Sequence, residues 1–178
     1  RACYDESKRV GETLCYIFHE YYGVHTNIIR PFNVYGPSMQ ESDYRVLPNF
    51  ASRIKARIPL NVYGQGNQTR TFCYLTDAIV GFLLVFARGV AGEVYNIGNP
   101  APEVTIFELI KRIEDVLGKN IPYNVIEYPD SYPADEPMRR APDIRKARLQ
   151  LKYEPKVDLN EGLRRFFEWS SKHYTGKS

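Results

Sequence analysis

The sequence predicts an α/β fold with crossover connections, and three observations predict it. Apolar residues recur at helical spacing over several long segments, short β-branched or aromatic runs lie between those segments, and Gly, Pro or Asp marks most changes of pattern. Residues 4–22 form the first predicted helix, with Val10, Leu14, Ile17, Phe18 and Tyr21 in helical register and Gly23 as its stop. Residues 25–32 read as a strand. A Pro- and Gly-rich turn follows, Asn33-Val34-Tyr35-Gly36-Pro37, of the kind that builds sites. Helix 45–57 and strands 60–63 and 68–75 come next, and Asp77 is expected to cap a helix running to residue 87. Residues 93–97 return as a strand. Thr105 and Gly118 bracket a helix carrying Ile106, Leu109, Ile110, Ile113 and Leu117. A strand over 123–128 and a short helix over 143–149 precede a last helix, opened by Asp158 or Asn160, with Leu163, Phe166, Phe167 and Trp169 facing inward. Residues 129–142, rich in proline and charge, read as a loop, functional or simply solvated. Most of the tyrosines are expected in the core, Tyr16 and Tyr95 among them.

Composition narrows the function classes. The 178 residues suit one domain or a lobe of a larger one, and 43% hydrophobic with 25% charged residues is the balance of a globular chain. The longest apolar stretch, 78–87, is broken by Gly81 and too short to span a bilayer, so no membrane association is expected. No basic start followed by an apolar run marks a secretory signal. The chain opens without Met inside a predicted helix, which implies a larger protein whose first part precedes Arg1. Cys3, Cys15 and Cys73 lack the spacing of a metal knuckle, and His19, His25 and His173 form no cluster, so reduced thiols, a cytoplasmic setting and no metal are expected. A net charge of +3 spread along the chain argues against nucleic acid as a partner.

Tyr4 and Lys8 stand four apart on one helical face. An ammonium beside a phenol favours the phenolate, so the pair can make a base able to take a hydroxyl proton. Gly64-Gln65-Gly66-Asn67-Gln68-Thr69 begins like a dinucleotide-binding loop, but its sixth position is Thr69 and a strand follows, so it reads as a hairpin-like turn.

The strings Arg1-Ala2-Cys3-Tyr4-Asp5-Glu6-Ser7-Lys8-Arg9, Arg30-Pro31-Phe32-Asn33-Val34-Tyr35-Gly36-Pro37, Gln68-Thr69-Arg70-Thr71-Phe72 and Arg139-Arg140-Ala141-Pro142-Asp143-Ile144 occur in one order. Together they resemble the extended short-chain dehydrogenase/reductase family, in particular its nucleotide-sugar epimerases, dehydratases and decarboxylases, with UDP-glucuronate decarboxylases the nearest likeness. The likeness covers essentially the whole chain. It implies the C-terminal part of an extended Rossmann-type fold: residues 1–37 would end the cofactor domain, and residues 38–178 would be mainly the substrate lobe. It implies NAD as cofactor and a UDP- or dTDP-sugar as substrate, oxidised transiently at C4 and then decarboxylated, epimerised or dehydrated. Tyr4 would be the base, Lys8 would hold the nicotinamide ribose, and Pro31 would lie beside the nicotinamide. Asn33 would bond the sugar nucleotide near its diphosphate, the Val62-Tyr63 backbone would meet the base, and Arg70 and Arg140 would clamp the diphosphate. The family's glycine-rich loop, its Ser or Thr beside the tyrosine, and the decarboxylases' glutamate would precede Arg1. The first helix would pair with a second copy through Leu14, Ile17, Phe18 and Tyr21; the same face can also line the chain's own sheet, and the two uses are not exclusive. The rival class is a sugar-nucleotide-binding protein without turnover, the behaviour expected of the 178 residues alone.

Overall fold

A computed structural model describes residues 2–128 and 137–176; residues 129–136 of the proline-rich stretch lie outside the described residues. The long first helix, α1 (Ala2–Tyr22), stops at Gly23, which takes φ 65° and donates its N–H to the His19 carbonyl at 3.1 Å. Next come β1 (Ile28–Pro31), β2 (Val34–Tyr35), α2 (Val46–Ala56), β3 (Leu60–Tyr63), β4 (Thr69–Arg70), β5 (Cys73–Tyr74) and α3 (Leu75–Arg88). The chain continues through β6 (Val94–Ile97), β7 (Val104–Thr105), α4 (Ile106–Leu117), β8 (Tyr123–Ile126), β9 (Arg139–Arg140), α5 (Arg145–Leu151) and α6 (Leu159–His173). Three strand pairs are parallel, β1 with β6, β2 with β5 and β3 with β8, as crossover connections require. The fourth sheet is mixed: β4 lies between antiparallel β7 and parallel β9.

Two hydrophobic clusters hold these layers. One joins the inner faces of α2, α4 and α6 to β3 and the rings of Tyr35, Phe72 and Tyr74. The other packs α3 and α5 on β1 and β6 around Tyr95 and Tyr153, both 0% exposed. Helix α4 has both ends as read from sequence: Thr105 and Glu108 form a capping box, and Gly118 closes it in the left-handed conformation. Asp158, rather than Asn160, caps α6 by accepting the Glu161 N–H.

Other expectations are corrected by tertiary contacts. The strand over 25–32 is only Ile28–Pro31, and the turn after it contains β2. The strand over 68–75 breaks at Thr71-Phe72 into β4 and β5, which belong to different sheets. Asp77 caps nothing: α3 begins at Leu75, and the buried Asp77 carboxylate instead accepts the Val157 N–H at 2.9 Å. The helix expected at 143–149 is Arg145–Leu151, because Asp143 accepts the Arg145 N–H from outside it. Tyr16 is 56% exposed rather than inward, while Tyr95 is buried as expected. On α1, Leu14, Phe18 and Tyr21 are exposed and Ile17 is half-buried, so among the described residues most of this face is not covered by the chain's own sheets.

Candidate active site

Helix α1 places Tyr4 and Lys8 one turn apart, with the Lys8 ammonium 5.3 Å from the centroid of the Tyr4 ring. The phenol is 60% exposed, open to a ligand. Pro31 ends β1, paired in register with Ile97, and is also exposed. Asn33 turns the chain toward β2 with φ 43°, a left-handed conformation that Asn tolerates better than most residues. Its side-chain amide donates to the Thr71 carbonyl at 2.7 Å and its own carbonyl accepts the Cys73 N–H at 3.1 Å. Asn33 therefore shapes the turn and ties it to the segment that follows Arg70.

The two arginines named for the diphosphate are brought together. Arg70 on β4 is the register partner of Arg140 on β9, and parallel neighbours in register project to the same face. Arg70 is 8% exposed, and its Nη1 donates to the Thr69 carbonyl at 2.8 Å and the Met138 carbonyl at 3.4 Å. By strand alternation Arg139 belongs to the opposite face. There it forks onto both oxygens of Glu103, Nε to Oε1 at 2.9 Å and Nη2 to Oε2 at 2.8 Å, while the Thr69 hydroxyl donates to the same carboxylate. The Arg139 hydrogen bonds, with help from Thr69, hold the Glu103 carboxyl below the usual carboxylate range.

The Val62 side chain is 1% exposed, in the core, so the residue can offer a ligand its backbone alone. The Tyr63 ring stacks on Tyr128, centroids 5.8 Å apart and planes at 19°. Between β3 and β4 the dinucleotide-like turn is explained by packing. Gly64 and Gly66 take φ 64° and 66°, and a Cβ on either would lie 2.6 Å from the ring of Tyr128 or Phe107 respectively. The turn runs into a strand, not a helix N-terminus. It is also no hairpin, since β3 pairs with β8 and β4 with β7 and β9.

The sequence pattern of the NAD dependent epimerase/dehydratase family matches residues 1–98. The chain belongs to that family. UDP-glucuronic acid decarboxylase 1 of Arabidopsis thaliana is 42% identical over 165 residues, covering 93% of this chain and 37% of that protein. UDP-glucuronic acid decarboxylase 1 of Xenopus tropicalis is 40% identical over 172 residues, 97% of this chain and 39% of its own length. Among solved structures, UDP-glucuronic acid 4-epimerase from Bacillus cereus in complex with UDP-glucuronic acid and NAD superposes with a TM-score of 0.82 at 31% identity, over 92% of this chain and 51% of that one. The dTDP-glucose 4,6-dehydratase DesIV from Streptomyces venezuelae with NAD bound gives 0.83 at 29% identity, over 95% and 51%. The chain thus spans about half the length of these structures and less of the curated relatives. Its fold is the expected extended Rossmann-type α/β fold. Among the described residues, no helix is long and apolar enough to cross a membrane, and no group of three or more His, Cys, Asp or Glu is placed to hold a metal ion.

Sequence reasoning missed two features. Glu12, one turn beyond Lys8, pairs with Arg30, and Glu103 neutralises Arg139. Both pairs join residues far apart in the chain, so nothing local signals either.

Proposed function

We propose that this protein is an NAD-dependent nucleotide-sugar enzyme resembling the UDP-glucuronic acid decarboxylases, in which Tyr4 takes the proton of the sugar C4 hydroxyl. The observation that carries this reading is the Tyr4–Lys8 pair on one open helical face, with the ammonium 5.3 Å from the ring. The exposed Tyr4, Lys8 and Pro31 fit the nicotinamide-ribose end of NAD; the Gly64–Gly66 turn, entering a strand, does not fit its phosphates. When bound, NAD would supply a hydride acceptor at C4 and return the hydride to close the cycle. Tyr4 is the base that takes the proton, Lys8 beside it bonds the ribose, Asn33 and the Val62-Tyr63 backbone position the nucleotide, and Arg70 and Arg140 hold the diphosphate.

Likeness to the 4-epimerase and the 4,6-dehydratase supports the same opening oxidation with a different second step, so 4-epimerisation and 4,6-dehydration are the alternatives. In this reading residues 1–37 complete the cofactor domain and 38–178 form mainly the substrate lobe. The exposed Leu14, Phe18 and Tyr21 make the homodimer face, the enzyme works in the cytoplasm, and these 178 residues alone bind without turnover.

The test incubates full-length protein with NAD and a panel of UDP- and dTDP-sugars and reads product mass. Loss of CO2 from UDP-glucuronate selects decarboxylation, unchanged mass with inverted C4 selects epimerisation, and loss of water selects dehydration. Tyr4→Phe is expected to abolish turnover with sugar-nucleotide affinity within about twofold. Wild-type rates in that variant would overturn the assignment.

A further inference from the structure

We infer that the Glu12–Arg30 ion pair is a positioning element of this site, fixing where Tyr4 and Lys8 stand relative to the β1 end that carries Pro31 and leads to Asn33. The inference rests on the reading of Tyr4 and Lys8 as the proton-transfer pair.

Tyr4, Lys8 and Glu12 follow one another at i, i+4 and i+8, so they share a face of α1. Arg30 immediately precedes Pro31 in β1. The Arg30 Nε donates to Glu12 Oε1 at 2.6 Å and Nη2 to Oε2 at 2.5 Å. Two parallel bonds from a planar fork fix direction as well as distance, which a lysine could not do. Among the described residues the other hydrogen bonds, ion pairs and ring contacts of the helix's first turns stay inside it: Ser7 Oγ donates to the Tyr4 carbonyl, Lys8 faces the Tyr4 ring, and Arg9 pairs with Glu6. The Thr26 hydroxyl, which donates to the Cys15 carbonyl, ties down the helix only beyond Glu12. Among the described residues Glu12 is therefore the foremost point of α1 bonded to the sheet side.

Leverage makes this anchor matter. Eight residues of helix separate Glu12 from Tyr4, about 12 Å at 1.5 Å per residue, so a tilt of about 5° at the anchor moves Tyr4 by about 1 Å. Misplacing a reacting group by that much can cost on the order of a hundredfold in rate. The pair itself is half-open, with side chains 51% and 31% exposed, and such a pair adds little to global stability. A large effect on the chemical step with a small effect on folding is its signature. Hydrogen bonding to Arg30 lowers the Glu12 carboxyl below its ordinary range, and the same bonds raise Arg30, so both stay charged at neutral pH.

The experiment uses full-length protein with NAD and the sugar nucleotide that it turns over. Glu12→Gln, Arg30→Met and their double variant are compared with Arg9→Gln, a control on the same helix, and with Tyr4→Phe. Single-turnover absorbance of reduced nicotinamide gives a rate constant and an amplitude, and hydrogen exchange of residues 5–12 is read without cofactor. Each single variant is expected to lower the rate constant about tenfold with amplitude and sugar-nucleotide Kd within about twofold, and the double variant to fall no further. Exchange across residues 5–12 rises several-fold in all three, and Arg9→Gln changes nothing. An unchanged rate constant, whether or not amplitude falls, overturns the positioning role while Tyr4→Phe remains dead. An active Tyr4→Phe variant instead overturns the underlying reading, and the proposal with it.

Discussion

Replacing Arg140 by glutamine in the full-length protein is expected to weaken UDP about thirtyfold, while Arg139→Gln leaves affinity within about threefold. The difference comes from strand register. β4 and β9 run parallel with Arg70 opposite Arg140, which sets their Cα atoms about 4.8 Å apart and both side chains on one face. Two guanidinium groups so spaced can share the two phosphates of a diphosphate. A charge-assisted bond of this kind is worth about 1.5–3 kcal/mol, and losing about 2 kcal/mol corresponds to the thirtyfold change. Arg139 faces the other way, already forked onto Glu103. Arg70 is the poorer probe, because it is nearly buried and also bonds the Thr69 and Met138 carbonyls, so its removal would disturb the sheet.

Calorimetric titration with UDP and with uridine separates phosphate recognition from a general loosening. Arg140→Gln should weaken UDP and spare uridine. Equal losses at positions 139 and 140, or an equal loss for uridine, would refute the face assignment and the diphosphate clamp together.

Two further outcomes follow from the packing. Desolvation alone would raise the Glu41 carboxyl, but hydrogen bonds from Thr175, Ser52 and Gly176 outweigh it and hold it at about 2. Its folded value is depressed, so its contribution is complete above the usual carboxylate range and fades as pH falls from about 4.5 toward 2; chemical denaturation should show a drop over that window in the wild type and a flatter profile in Glu41→Gln. Ala in place of a helix-interior Gly usually gains about 1 kcal/mol. In α6, however, a Cβ on Gly162 would lie 2.1 Å from the Tyr35 hydroxyl oxygen, and overpacking of this kind costs about 1–3 kcal/mol. Gly162→Ala should therefore lower stability in urea unfolding, and adding Tyr35→Phe should recover most of the loss; a stabilised single variant would show that Tyr35 moves aside freely.

Where the signal was local, sequence and structure agree. The helical register of α1, the Thr105 cap, the Gly118 stop and the opening of α6 at Asp158, one of the two residues offered for it, each depend on residues within a turn of one another. Where a distant partner decides, local reading fails. Asp77 looks like a cap until Val157 supplies the donor it accepts from, and Tyr16 looks inward only while α1 is assumed to be covered on that side. Strands β4, β5, β7 and β9 are two residues each, too short to show a period, and they exist because neighbours far along the chain complete their ladders.

The candidate site divides along the same line. The Tyr4–Lys8 spacing is legible because one helical turn contains it, whereas the choice between two adjacent arginines is not. Arg139 and Arg140 are indistinguishable by type, so in the sequence the choice of Arg140 rests on the family resemblance alone, and the ladder between β9 and β4 supplies the physical ground: Arg140 shares a face with Arg70 while Arg139 meets Glu103. Asn33 lies between these cases. The family resemblance implies a ligand contact for it, and the structure gives its amide donor work in holding the turn against Thr71. If Asn33 also serves a nucleotide, it must do so through its remaining side-chain hydrogen-bonding capacity. Asn33→Asp, which removes the donor to Thr71 and adds a charge beside the diphosphate site, should then cost more in UDP binding than Asn33→Ala.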